Sequence, residues 1–234
     1  MEVKIYSRKA IGELIEKGFP PNTAVISFYT PKNKRDYEEN RIDYDGVCNK
    51  VFYVGIPDID IEILGDYGYT YDTYLAEADE LAKFIYEART YGLDIICQCD
   101  YGQSRSAACA AAILQHFEGR GIDIFADYQY YPNQLVYHKV FEALILKRYE
   151  SREILIKTIF EEIKKQQIMP KGRWLPNRYN EFYSNLDDIQ KREFAKAMIE
   201  LLDRGFFKLE YDYYVLTEKG AEIIYSEPKE EVNE

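Results

Sequence analysis

Cys99 and Arg105 are separated by five residues, and Ser106 follows directly. They lie in the run Asp94-Ile-Ile-Cys-Gln-Cys-Asp-Tyr-Gly-Gln-Ser-Arg-Ser106. A thiol, a guanidinium and a hydroxyl at this spacing suit attack on a phosphomonoester. The planar fork of Arg105 can hold two phosphate oxygens and the charge that builds in the transition state. Ser106 can hydrogen-bond the sulfur and assist its departure. Such a reaction passes through a phosphocysteine that water then hydrolyses.

The elements around this run must turn the chain around an anion. Asp94 to Gln98 is short and mostly apolar, as a buried strand requires. From Arg105 onward, Ala107, Ala108, Ala110, Ala111, Ala112, Ile113 and Leu114 form a helix that can be buried nearly all round. Gly102 permits backbone angles and close approaches that a Cβ would forbid. The helix N-terminus and the successive N–H groups of Asp100, Tyr101, Gly102, Gln103, Ser104 and Arg105 form a ready anion cradle. The same field stabilises a thiolate at Cys99, making it a nucleophile near neutral pH.

Cys-x5-Arg followed by Ser, with Gly102 third after the cysteine, resembles the cysteine-dependent protein tyrosine and dual-specificity phosphatases. Flanking segments look like a compact bacterial and phage dual-specificity-like subfamily. These are Ser7-Arg8 with Ala10, Thr23-Ala-Val-Ile-Ser-Phe28, Ile56-Pro-Asp-Ile-Asp60, and Tyr131-Pro-Asn133 with Val136-Tyr137. The resemblance spans residues 1–148. It implies that Cys99 is the nucleophile, Arg105 the phosphate clamp and Ser106 the thiolate partner, with no metal or other cofactor. One position departs from it. The family has His just before the nucleophile, where this chain has Gln98.

The resemblance also implies an aspartic general acid on a loop upstream of the nucleophile. Asp58, Asp60 and Asp66 are the candidates. Asp58 ranks first because it follows the strand-like run Val51 to Ile56, where a loop begins. Asn133 reads as a helix cap. Cys97, two before Cys99, shares its face of the strand and is a redox-partner candidate. Asp100 places negative charge beside the phosphate site unless its side chain turns away. Cys97-Gln-Cys99 has no second cysteine pair or histidine cluster, so it does not read as a metal site.

The 234 residues are 47% hydrophobic and carry a net charge of −11. That charge gives no overall support to nucleic-acid binding. No apolar run approaches the roughly 20 residues of a membrane span, and the start lacks a signal peptide's apolar segment. Four cysteines without a framework pattern fit a reducing, cytoplasmic setting.

Strand and helix signals alternate through the first part, with strands at Val3–Ile5, Ala24–Phe28 and Val51–Val54. Ser7 precedes a helix ending near Gly18. Residues 29–49 form a long polar connection. Leu75, Ala78, Ala82, Ile85 and Ala88 mark another helix, and a last one runs from Asn133 to Tyr149. The expected fold class is α/β, a mostly parallel sheet flanked by helices with the site at a strand's carboxyl end. The domain organisation is a phosphatase domain over 1–150 and a winged-helix-like α+β domain over 151–234. In the second domain Thr217 caps a final helix, and Glu227 to Glu234 form a frayed acidic end. That domain carries 14 Lys and Arg against 17 Asp and Glu, a net charge of −3. A protein partner therefore suits it better than DNA.

The leading expectation is a phosphatase acting on a phosphorylated protein or a small phosphomonoester, without a membrane partner. The alternatives are a catalytically inactive phosphate- or phosphopeptide-binding module, and a transcription-related protein acting through the C-terminal domain.

Overall fold

The computed structural model describes residues 1–31, 41–48, 50–186 and 188–226, with the side chains of 188 and 189 left aside. Residues 32–40 and 49 of the polar connection and the acidic residues 227–234 lie outside the described residues. Two compact units divide the chain, Met1–Lys147 and Arg148–Glu234.

The first unit contains β1 (Val3–Ser7), α1 (Arg8–Lys17), β2 (Thr23–Tyr29), β3 (Val51–Gly55), α2 (Ala78–Thr90), β4 (Asp94–Cys99), α3 (Arg105–Glu118) and α4 (Ile122–Phe125). It also contains the start of α5 (Gln134–Lys165). The four strands pair in parallel in the order β1-β4-β2-β3. This is the mixed α/β fold with a parallel, helix-flanked sheet. Crossovers rather than hairpins join the strands, as parallel pairing demands. β2 is buried along its whole length, so it reads as a continuous apolar run instead of an alternation.

β4 lies between β1 and β2 and alternates its side chains across the sheet. Ile96 packs with Ile11, Val25 and Tyr44 on one face. Cys97 and Cys99 point to the other, where α3 packs on β1 and β4. The alanines of α3 are all fully buried, and their small volume lets the helix lie close to the sheet. Ser7 caps α1 by accepting from the Ala10 N–H at 3.1 Å.

The helix expected to end near Tyr149 continues to Lys165. No Gly or Pro interrupts residues 134–165, so nothing local stops it at the change of character near Ser151.

The second unit holds the rest of α5, then β5 (Arg173–Trp174), α6 (Pro176–Asn185), α7 (Asp188–Asp203), β6 (Phe207–Glu210), β7 (Tyr213–Leu216) and α8 (Glu218–Tyr225). Its antiparallel sheet runs β5-β7-β6 around a core built on Trp174, Phe194, Met198, Leu201 and Phe207. Thr217 caps α8, accepting from the Gly220 N–H at 2.9 Å. Glu193 is buried there and bound by Arg152 at 2.7 Å.

Candidate active site

β4 ends at Cys99 and α3 begins at Arg105, with Asp100–Ser104 bridging them. Gly102 makes this bridge fit. Its φ is +71°, and a Cβ there would lie 2.6 Å from the Ser7 nitrogen and 2.9 Å from the Tyr6 carbonyl carbon. The loop thus rests directly on the end of β1, where only glycine has room.

The loop's carbonyls are taken by surrounding donors. The Arg8 N–H binds Asp100 O at 3.2 Å, the Tyr131 N–H binds Gln103 O at 2.9 Å, and the Ala108 N–H binds Ser104 O at 2.8 Å. Among the described residues, no acceptor takes the N–H groups of Tyr101, Gly102, Gln103 or Ser104. Ser104 sits at the cap position of α3, yet its hydroxyl makes no cap bond and donates instead to Asp58 Oδ1 at 2.7 Å. The start of α3 therefore keeps its N–H groups and its partial positive charge directed at the loop.

Cys99 and Ser106 meet here, with Sγ 3.0 Å from Oγ and both residues buried. Arg105 is 2% exposed. Its Nη1 donates to Ile56 O at 2.7 Å and to Thr30 Oγ1 at 2.9 Å, and its Nη2 to Asp100 Oδ2 at 3.0 Å. Its Nε has no hydrogen-bond acceptor among the described residues, and Asp58 Oδ2 lies 3.6 Å away. A buried guanidinium N–H without an acceptor is costly and marks where an anion is welcome.

Asp100 does not turn away from the site. Its carboxylate lies between Arg105 and Arg8, whose Nη2 is 2.6 Å from Oδ1. The two cations offset a charge that would otherwise repel phosphate. Tyr101 is 81% exposed, so only its backbone belongs to the cradle and its ring stands at the mouth.

Asp58 is the one of the three aspartates that touches the loop. Oδ1 accepts from Ser104 and, at 2.9 Å, from Asn133 Nδ2. Asn133 also donates to Ile59 O at 3.0 Å, and its Oδ1 accepts from the Val136 N–H at 2.9 Å to cap α5. The same side chain thus starts a helix and anchors the aspartate loop. Tyr74, fully buried, supports that loop by donating to Pro57 O at 2.9 Å. Burial, with the charge of Asp58 next, pushes the Tyr74 phenol far above its usual range and keeps it a donor. Asp60 is exposed just before a 3-10 turn at Ile61–Ile63, and Asp66 lies exposed in the next turn, Gly65–Tyr67. Neither makes a hydrogen bond or ion pair to the loop among the described residues.

Gln98 points to the sheet face opposite Cys99. It is 1% exposed, and its Oε1 accepts from Ser27 Oγ at 2.6 Å and from the Tyr44 phenol at 3.4 Å. Burial raises the Tyr44 phenol well above its ordinary value, which keeps it neutral as a donor. Gln98 therefore braces the strand end from below. Cys97 is fully buried, and burial first, then its hydrogen bond with Cys109, pushes its thiol well up. A sealed, protonated thiol is a poor partner for disulfide exchange.

Sequence reasoning had no task for Thr30, for the Ile56 carbonyl or for the side chain of Arg8. Ser7-Arg8 and Asn133 carried a signal as matched segments, but nothing local says that Arg8 meets Asp100 or that Asn133 meets Asp58.

No protein-family model matches the chain. No curated protein matches it either. Among solved structures the chain is similar to PTPMT1 in complex with PI(5)P, at 12% identity and a TM-score of 0.40, over 61% of this chain and 90% of that one. It is also similar to human tyrosine phosphatase-like serine/threonine/tyrosine-interacting protein, at 16% identity and a TM-score of 0.38, over 60% of this chain and 87% of that one.

Proposed function

We propose that this protein is a cysteine-dependent phosphatase that hydrolyses phosphomonoesters, including phosphotyrosine, through a phosphocysteine. The carrying observation is the 3.0 Å contact of Cys99 Sγ with Ser106 Oγ, beside a buried Arg105 whose Nε has no acceptor among the described residues. The uncapped start of α3 and the loop N–H groups support the same reading.

In this reading the phosphate oxygens take the loop N–H groups and Arg105 Nε. Cys99 sulfur attacks phosphorus, forming the S–P bond as the ester P–O bond breaks. Protonated Asp58 gives its proton to the leaving oxygen. Asp58 then takes a proton from water as that water attacks phosphorus, and the S–P bond breaks. Ser106 donates to the departing thiolate. Asn133 and Ser104 keep Asp58 within reach of both steps.

The division into a phosphatase domain and a C-terminal winged-helix-like domain belongs to the same proposal. The order of one strand, two helices, two strands and a helix, with sheet order β5-β7-β6, supports it. The net charge of that region favours a protein partner over nucleic acid. A cytoplasmic setting is supported by the free state of all four cysteines.

The test is hydrolysis of p-nitrophenyl phosphate by reduced wild type and Cys99→Ser, without metal and with vanadate as inhibitor. Turnover that vanadate blocks and Cys99→Ser abolishes is expected. A folded, reduced wild type that binds vanadate but never turns over would replace this reading with a phosphate-binding module.

A further inference from the structure

Asp58 and Ser104, hydrogen-bonded to each other at the edge of the cysteine loop, also line an adjoining groove of about 860 Å³. The groove is also lined by Asp60 and Glu62 and by the rings of Phe125, Tyr130 and Tyr131. No Lys or Arg is among the described residues that line it. Beside the groove, the cysteine loop attracts an anion at the Nε of a 2%-exposed Arg105, which has no acceptor among the described residues. The groove itself repels anions through the carboxylates of Asp60 and Glu62. A ligand suited to both must carry a single phosphate with positive charge beside it.

We infer that the groove takes a phosphorylated polypeptide segment with Lys or Arg next to the phosphorylated residue. This rests on the phosphate reading of the Cys99 loop. The ammonium or guanidinium would lie by Asp60 and Glu62, and its aliphatic stem along the aromatic rings. The ring of Tyr71, which also lines the groove, is already taken by Lys139 Nζ 4.8 Å from its centroid, which leaves Phe125, Tyr130 and Tyr131 for the ligand's stem. A second phosphate, as on a polyphosphorylated inositol headgroup or a nucleotide, would be set among like charges.

The experiment is fluorescence anisotropy with the full-length Cys99→Ser protein and two labelled phosphotyrosyl peptides differing only in flanking Lys or Glu. A bisphosphorylated inositol headgroup serves as competitor, and vanadate binding to wild type is measured alongside. The Lys peptide should bind at least about fivefold more tightly, with the ratio narrowing at high salt. In Glu62→Lys, checked for folding by circular dichroism, the ratio should fall toward one. Equal binding, a preference for Glu, or stronger competition by the headgroup than by the Lys peptide would overturn the inference. If vanadate still bound wild type in such a case, the loop reading would stand. Loss of both peptide and vanadate binding would overturn the two together.

Discussion

Asn133 and Asp58 are joined across 75 positions of chain, with Nδ2 of the amide donating to Oδ1 of the carboxylate at 2.9 Å. The amide oxygen of Asn133 meanwhile caps α5 through the Val136 N–H. The two jobs can be separated. Asn133→Ser keeps a capping oxygen but lacks an amide donor to hold Asp58, whereas Asn133→Ala loses both. Phosphatase kcat should fall by about tenfold or more in each variant. Only Asn133→Ala should also lose about 1 kcal/mol of stability, read by urea unfolding. Equal kcat in Asn133→Ser and wild type would show that Asp58 needs no such anchor.

Asp100 occupies part of Arg105 and adds negative charge beside the phosphate cradle. Asp100→Asn keeps an acceptor for one arginine and removes the charge. Vanadate and phosphate should then inhibit several-fold more tightly, measured as Ki against p-nitrophenyl phosphate. Weaker inhibition would mean that the carboxylate's grip on Arg8 and Arg105 matters more than its charge.

Gly102→Ala places a methyl 2.6 Å from the Ser7 nitrogen at a φ of +71°. Backbone, not a flexible side chain, must give way. The loop should lift off β1, with a stability cost of about 1–3 kcal/mol and loss of vanadate binding while far-UV circular dichroism stays near wild type. Unchanged vanadate affinity would contradict the seating of the loop on β1.

In the second unit, burial works against ionisation of Glu193. The Arg152 hydrogen bond and the charges of Lys196, Arg152 and Arg148 outweigh it and hold the carboxyl below its usual range. A depressed carboxylate contributes stability that is present above the unfolded value of about 4.3 and lost as pH falls through the folded value. Glu193→Gln should therefore lower the melting temperature at pH 7. The difference from wild type should shrink below about pH 4. A difference constant with pH would assign the effect to packing.

Local chemistry made much of this molecule legible. The strand, the glycine turn and the alanine-rich helix around Cys99 announce themselves within one short run, and the caps at Ser7, Asn133 and Thr217 lie beside the helices they start. Contacts between distant segments were not legible. Arg105 reaches Thr30 and Ile56, and Asp100 reaches Arg8, only because the order β1-β4-β2-β3 brings their ends together. Nothing in the local pattern around Gln98 reveals that Ser27 and Tyr44 meet it beneath the loop. The continuous α5 was missed because a shift in composition at Ser151 resembles a boundary, although no residue there breaks a helix. β5 spans two residues, too few for any periodic signal.

The most direct measurement is rapid acid quench of wild type during turnover of a phosphorylated substrate, followed by mapping of the bound phosphate by mass spectrometry. Phosphate on Cys99, absent in Cys99→Ser and longer-lived in Asp58→Asn, is the expected result. Full turnover with no covalent phosphate at Cys99, persisting in Cys99→Ser, would contradict the cysteine mechanism.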